Sequence, residues 1–252
     1  MKKEMIADKM VSLVKNSSAI RAMFEEGKIL AAKYGAENVY DFSLGNPNVP
    51  APVQVKEAII EELNKEDPVV LHGYMNNSGY EDVRDAIAQS INKKFDTAFT
   101  EKNIIMTVGA AGGLNVILKT LLNPGDEVIA IAPYFGEYNS YVSNYDGKIV
   151  VVSPNTVDFQ PNLEEMEQKI TAKTKAVIIN SPNNPTGVVY SEATIMKMAD
   201  MLRAKQKEFG TDIYLISDEP YRELAYDGVE VPYLTKYYEE NDIHDGSNDL
   251  FF

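Results

Sequence analysis

Four short segments of the chain carry residues that could do chemistry. They read "TVGAAGGLN" (107–115), "APYFGEY" (132–138), "SPNNPTG" (181–187) and "SDEPYREL" (217–224). Small residues at a helix start let backbone N–H groups approach an anion. The other three segments supply an aromatic ring (Phe135), side-chain amides and carboxylates, so the four together could hold a charged, planar ligand.

Each segment also has an ordinary explanation when it is taken alone. A glycine-rich loop is often only close packing, and Asn-Pro with Pro-x-Gly is common in turns. Phe135 could be a core aromatic residue, and Asp218 could be a helix cap. The co-occurrence favours a site, because an anion cradle, an aromatic plate, an amide and a carboxylate suit a flat, phosphorylated heteroaromatic cofactor.

Alternating apolar runs and helical patterns must position these segments. Strands are predicted at 104–108, 128–132, 148–153, 175–180 and 212–217, and helices at 112–122, 137–145, 162–170 and 191–209. Continuous apolar strands that alternate with helices predict a parallel sheet covered on both faces. Ligands bind beyond the carboxyl ends of such strands, so the four segments should share one sheet edge.

The residues before this region are predicted to be mainly helical. Helical patterns cover 19–34, 51–65 and 78–95, and the last of these opens with a capping-box pattern of Ser78 and Glu81. The acidic stretch 239–252 lacks the alternation and is predicted to be a weakly ordered tail.

Composition excludes several classes of function. The net charge of −14 argues against nucleic acid or an anionic membrane as the main partner. The absence of cysteine excludes disulfides, thiolate zinc sites and a cysteine nucleophile, and no metal site is predicted. The first residues do not resemble a signal peptide, and no apolar run approaches a membrane span, so a cytoplasmic protein is expected.

Several motifs give the chain a resemblance to a known family. "NNPTG" is followed 34 positions later by "DEPY", counted from Asn184 to Asp218, and "YMNNSGYEDVRDAIA" (74–88) and "FSLGNPNVP" (42–50) stand upstream. With these motifs the chain resembles the class I/II aminotransferases, the fold-type I enzymes that use pyridoxal phosphate, over about residues 20–237.

The resemblance implies a set of residues that bind pyridoxal phosphate. They are Gly109, Ala110, Ala111, Phe135, Asn184, Asp218, Tyr221 and, toward a neighbouring subunit, Tyr74. The backbone of 109–111 would bind the phosphate, and Phe135 would stack on the pyridine ring. Asn184 and Tyr221 would contact the phenolic oxygen. Asp218 would pair with the ring nitrogen, where a carboxylate keeps the nitrogen protonated.

The resemblance also implies the fold and the partners. It implies a homodimer through Tyr74, a position near the substrate carboxylate for Gly45, and an amino acid and a 2-oxo acid as substrates. It implies a three-layer α/β/α large domain around a mainly parallel sheet. The expected division is 1–47 for the N-terminal arm and part of a smaller α+β domain, 48–238 for the large domain and 239–252 for the tail.

One part of the family pattern is missing from the sequence. The family's Schiff-base lysine lies in a Ser-x-Ser-Lys segment followed by Gly-x-Arg, and neither occurs in these 252 residues. Lys236 is the nearest lysine after the motif, but it lacks the Ser-x-Ser lead. No catalytic residue is therefore assigned, and the chain is expected to be a truncated or inactive form with an incomplete C-terminal part.

Three hypotheses follow. The first is an aminotransferase whose sequence here is incomplete, with an acidic amino acid and 2-oxoglutarate as a family-level expectation for the substrates. The second is a non-catalytic protein that binds pyridoxal phosphate or pairs with a full-length subunit. The third, a nucleotide-binding Rossmann-type protein, leaves "NNPTG" and "DEPY" unexplained.

Overall fold

The computed structural model describes residues 5–15, 19–42, 45, 49–238 and 250–251. The chain divides into two compact units, Met1–Tyr74 and Met75–Phe252. The boundary expected at 47/48 from the family resemblance falls within the first of these units.

The first unit is helical in its described residues. Its α-helices are α1 (Asp8–Lys15), α2 (Ala19–Tyr34), α3 (Val53–Lys65) and α4 (Pro68–Leu71). The helices predicted at 19–34 and 51–65 are confirmed as α2 and α3. Helix α4 begins with a proline, and the Asp67 side chain accepts a hydrogen bond from the Val69 N–H at 2.7 Å, which caps the first turn.

The second unit alternates strands and helices. Its elements are α5 (Glu81–Phe95), α6 (Gly109–Leu121), β1 (Glu127–Ile131), α7 (Tyr138–Ser143), β2 (Lys148–Val152), α8 (Leu163–Lys169), β3 (Thr174–Asn180), α9 (Glu192–Phe209), β4 (Tyr214–Asp218) and β5 (Leu250–Phe251). Short 3-10 turns lie at Glu101–Asn103, Arg222–Leu224 and Leu234–Lys236.

The strands form one parallel sheet in the order β2-β1-β3-β4-β5. The register pairs Asn180, the last residue of β3, with Asp218, the last residue of β4. Both residues begin loops that the sequence singled out. The sheet therefore brings those loops side by side at its carboxyl edge, as the predicted parallel topology requires.

Both faces of the sheet are covered, which confirms the predicted α/β class with helices on two sides. Alternate residues of β3 enter two separate cores, because successive side chains point to opposite faces of a strand. Ala176 and Ile178 pack with residues of α6 and α7, whereas Val177 and Ile179 pack with residues of α8 and α9.

The strand predicted at 104–108 is not a strand in the structure. Met106 donates a backbone hydrogen bond to the Ser78 carbonyl at 2.9 Å, but none of the described strands pairs with this segment. Apolar residues form a strand only where a neighbouring strand completes the ladder. Ile105 is accordingly 54% exposed.

Two further predictions differ in detail. Helix α5 begins at Glu81 after Tyr80, which makes no side-chain capping bond, so the predicted Ser78 cap is wrong. Of the predicted weakly ordered tail, 239–249 and 252 lie outside the described residues, and Leu250 pairs with Ile216 at the sheet edge. Among the described residues, no helix has both the length and the apolar character needed to cross a membrane.

Candidate functional site

A cleft of about 210 Å³ lies where the loops after the strands meet the start of α6. Its lining residues are Ala110, Ala111, Leu114, Phe135, Tyr141, Asn180, Asn184, Asp218, Pro220 and Tyr221. The four segments that the sequence singled out therefore converge, and six of the predicted cofactor residues line one cavity.

Asp218 is the buried charge of the cleft. Its Oδ2 accepts a hydrogen bond from the Tyr138 hydroxyl at 2.6 Å. Its Oδ1 is also buried, yet it has no hydrogen-bond partner among the described residues. Burial raises the pKa of the carboxyl group, the nearby Glu219 charge adds to this, and the Tyr138 hydrogen bond opposes it. An oxygen in this position needs a donor, which a ligand in the cleft can supply.

The Asn180 side chain joins the loop that contains Asn184 to the loop that begins at Asp218. Its Nδ2 donates to the Asp218 carbonyl at 2.7 Å, and its Oδ1 accepts from the Asn184 N–H at 2.6 Å. Asn180 is buried, and both ends of its side-chain amide have partners. The backbones of Asn184 and Asp218 are thus held at fixed positions relative to each other.

The segment 181–187 is a turn closed by its own hydrogen bonds. The Gly187 N–H donates to the Asn183 carbonyl at 2.8 Å, and the Asn183 N–H donates to the Val188 carbonyl at 2.9 Å. The Asn183 side chain accepts from the backbone and the hydroxyl of Thr186. The Asn184 side chain is not part of the hydrogen bonds that close this turn in the described chain. Its Nδ2 instead donates to the Tyr221 hydroxyl at 3.2 Å.

The N-terminus of α6 forms another wall of the cleft. Gly109 has φ of 68°, a left-handed conformation that favours glycine, and Val108 makes no side-chain capping bond. The Gly109 N–H donates to the Thr107 carbonyl at 3.0 Å. The role of Gly109 as a phosphate donor stays a prediction. Ala110 and Ala111 lie in the first turn of α6, where backbone N–H groups have no intrahelical acceptor and can bind an anion.

Aromatic rings complete the cleft. Phe135 is 37% exposed and meets the Tyr138 ring edge to face, with the centroids 5.8 Å apart. Tyr141 also lines the cleft, and burial together with the Glu137 and Asp218 charges raises its pKa. A partly exposed ring beside a carboxylate is suited to stacking on a planar ligand.

Among the described residues, no contact assigns a role to Gly45 or Tyr74, the two predicted residues of the first unit. The Tyr74 side chain is fully exposed. Within the described part of the chain, no heavy atom lies within 4 Å of the position that a Cβ of Gly45 would take.

The sequence assigned no role to Tyr138 or Tyr141, and it singled out Asn180 only as the start of the range 180–187 that follows a strand. Tyr138 and Tyr141 lie at helical spacing within 137–145, and Asn180 is the last residue of the apolar run 175–180. A signal was present for Tyr138, because a buried tyrosine usually needs a partner for its hydroxyl.

No lysine is among the described residues that line the cleft. Lys236 lies in a 3-10 turn and lines a different groove with Tyr233 and Tyr237. In the described part of the chain, no group of three or more His, Cys, Asp or Glu residues is placed to hold a metal ion.

Comparison with known families agrees with this geometry. The family described as aminotransferase class I and II matches residues 37–244. This match covers most of the sequence. The chain belongs to the class I and II aminotransferase family.

Relatives and solved structures give the same result. The aspartate aminotransferase of Thermotoga maritima is 34% identical over 207 residues, which are 82% of this chain and 52% of the relative. A probable aspartate/prephenate aminotransferase of Thermus aquaticus is 37% identical over 73% of this chain and 46% of its own length. An aminotransferase of Eubacterium rectale superposes with a TM-score of 0.90 at 47% identity, over 94% of this chain and 60% of that structure. The chain spans about half the length of the curated relatives that it matches.

Proposed function

We propose that the cleft binds pyridoxal phosphate and that this site serves the transfer of an amino group between an amino acid and a 2-oxo acid. The observation that carries the proposal is Asp218, whose buried Oδ1 has no partner among the described residues. A protonated pyridine nitrogen is a donor that such an oxygen can accept from.

The other residues of the cleft fit the remaining parts of the cofactor. The first-turn N–H groups of Ala110 and Ala111 suit a phosphate, which a helix N-terminus binds without a basic side chain. The paired Asn184 amide and Tyr221 hydroxyl, 3.2 Å apart, suit a phenolic oxygen. Phe135 suits the face of a planar ring.

These residues divide the work of binding and tuning. When bound, pyridoxal phosphate supplies an electron sink for bonds at the substrate α-carbon. Asp218 would keep the proton on the ring nitrogen, because a buried carboxylate favours a cationic partner. Asn184 and Tyr221 would favour the ionised form of the phenolic oxygen by hydrogen bonding to it.

The residues of this chain explain the binding of pyridoxal phosphate better than they explain catalytic turnover. The reaction needs a lysine that bonds to the cofactor and moves the proton, and these 252 residues contain no Ser-x-Ser-Lys segment. We assign reversible cofactor binding to this chain and the lysine-dependent step to a segment outside this sequence. The second candidate is a non-catalytic protein that binds pyridoxal phosphate or pairs with a full-length subunit, and the lack of a cleft lysine among the described residues favours it.

The proposed substrates and partner follow the relatives. Relatives are named aspartate aminotransferases, and a Thermus thermophilus neighbour at 30% identity was solved with maleate, a dicarboxylate. We propose an acidic amino acid and a 2-oxo acid as substrates and a cytoplasmic location. The exposed Tyr74 is proposed to contact the phosphate of a second copy in a homodimer.

Titration of the 252-residue chain with pyridoxal phosphate tests the proposal. We expect saturable uptake at one site per chain, seen as a shifted visible absorption band and lost on dialysis. Borohydride treatment followed by intact mass measurement is expected to leave no stoichiometric adduct. Absence of saturable uptake would contradict the binding proposal, and a single adduct on one lysine would contradict its reversible, lysine-free form.

A further inference from the structure

We propose that Tyr138 is a positioning residue for Asp218. Its hydroxyl holds Oδ2, so that the carboxylate keeps one orientation and its charge while Oδ1 remains for the ligand. This inference rests on the proposed function, because it assigns the ligand of Oδ1 to the cofactor ring.

The Tyr138 ring has little freedom to move. It is 1% exposed at the start of α7 and belongs to the core cluster that contains Leu114, Val142 and Ile178. Around it lie the rings of Tyr134, Phe135 and Tyr141, at centroid distances of 6.2, 5.8 and 6.5 Å. This packing restricts the position of the Tyr138 hydroxyl group.

The hydrogen bond from Tyr138 is of the strong kind. At 2.6 Å the contact from the Tyr138 hydroxyl to Asp218 Oδ2 has the length of a charge-assisted O–H···O⁻ bond. Burial and the Asp218 charge raise the pKa of Tyr138, so the phenol stays protonated and remains a donor.

The charge of Asp218 depends on a balance among its neighbours. Burial and Glu219 favour the neutral carboxyl group, and Tyr138 is the side chain that opposes them. The other ionisable side chains that influence this cluster are the phenols of Tyr141 and Tyr221. Loss of the Tyr138 hydroxyl should therefore make Asp218 easier to protonate.

The contact also links two loops that would hold the same ring. Tyr138 follows Phe135 by three residues, and Asp218 ends β4. One side chain thus fixes the distance between the proposed stacking residue and the proposed partner of the ring nitrogen.

The Tyr138→Phe variant keeps the ring and removes only the hydroxyl. In the chain without cofactor, NMR titration of ¹³C-labelled aspartate, with Asp218→Asn for assignment, should show a higher Asp218 pKa in Y138F. Near pH 7, affinity for pyridoxal phosphate should be about tenfold lower in Y138F than in the wild-type chain. This is the size expected for the loss of one hydrogen bond to a charged group. The pH below which affinity is lost should move upward.

Tyr238→Phe is the matched control, because the buried Tyr238 hydroxyl donates to the Ile213 carbonyl at 3.0 Å and the residue does not line the cleft. It should leave both the Asp218 pKa and the pH profile of binding unchanged. An unchanged Asp218 pKa and an unchanged profile in Y138F would overturn the inference while leaving the proposed function intact. If the wild-type chain takes up no cofactor, the proposed function fails. The comparison of the Asp218 pKa between the wild-type chain and Y138F then decides by itself whether Tyr138 positions Asp218.

Discussion

Asp218 and Glu219 are adjacent carboxylates with opposite surroundings. Asp218 keeps one buried oxygen without a partner among the described residues. Glu219 is paired on both oxygens: Oε2 accepts from Arg222 Nε at 2.6 Å, and Oε1 accepts from Arg222 Nη2 and the Ser217 hydroxyl, both at 2.7 Å.

The Arg222 guanidinium is satisfied as fully as its partner. Besides Glu219, it donates to the carbonyls of Val231 at 2.7 Å and Pro232 at 2.9 Å. It also lies 5.2 Å from the ring centroids of both Phe95 and Tyr233, which stack on each other. This cluster holds the loop after β4 through partners that all come from the described chain.

The difference between the two carboxylates indicates that Glu219 stabilises the loop, whereas Asp218 serves ligand binding. A buried polar group whose partners all come from the chain stabilises the fold, whereas one that lacks a partner is maintained at a cost and indicates a ligand. Substitutions at the Glu219–Arg222 pair should therefore act on stability, and substitutions at Asp218 should act on binding.

The largest effect is expected for Arg222→Ala. Its side chain is 10% exposed and that of Glu219 is 15% exposed, so the variant leaves a nearly buried charge without its partner. Such a loss costs about 3–5 kcal/mol of unfolding free energy. Urea denaturation followed by circular dichroism measures it.

Arg203→Ala is the control for this variant. Arg203 pairs with the exposed Asp200 and donates to the Tyr237 carbonyl, so its loss should cost about 1 kcal/mol. Equal losses for the two arginines would contradict the structural role given to the Glu219–Arg222 pair.

Asn180→Ala is expected to act on both properties. The variant removes two hydrogen bonds that join the backbones of Asn184 and Asp218, which should cost about 2 kcal/mol of stability and weaken cofactor binding. Asn123→Ala, at an exposed site, should change stability by less than about 0.5 kcal/mol and leave binding unaltered. Wild-type affinity in the folded N180A protein would show that the two loops do not need this link.

A smaller effect is expected for Asp218→Asn on stability. Burial raises the Asp218 pKa above its ordinary value of 3.8, so between 3.8 and the raised pKa the folded chain binds more protons than the unfolded chain. The stability that this group contributes is full below 3.8 and is lost as pH rises through the raised pKa. The amide in D218N does not titrate, so the variant should become the more stable protein above that window, by on the order of 1 kcal/mol.

Urea denaturation of both proteins from about pH 4 to about pH 8 measures this difference, since the window begins near the ordinary carboxyl pKa. A difference in unfolding free energy that does not change with pH would show that the Asp218 pKa is not raised.

The sequence correctly predicted those strands whose neighbouring strands also belong to the run of alternating strands and helices. The runs at 128–132 and 175–180 became β1 and β3, because their neighbours in the sheet are also in the described chain. The equally apolar run at 104–108 did not form a strand, since pairing depends on a second strand and not on composition alone.

The site residues that the sequence predicted are those at or after the carboxyl ends of strands. Asn184 and Phe135 lie in the loops after strands, Asp218 is the last residue of β4, and a parallel sheet brings such positions together. The sequence assigned Tyr138 and Asn180 no specific role, because each acts through a side-chain contact with Asp218, a residue distant in sequence. Such contacts become visible only when the register of β3 and β4 is known.

The affinity of two neighbouring variants for pyridoxal phosphate tests the central claim most directly. Asp218→Asn and Glu219→Gln each remove one carboxylate from the same loop, and circular dichroism selects conditions in which both are folded. Equilibrium dialysis should show a loss of at least about tenfold for D218N, the size expected for a charged hydrogen bond, and a change below about twofold for E219Q. Equal losses, or a larger loss for E219Q, would contradict the assignment of Asp218 as the ligand-binding carboxylate.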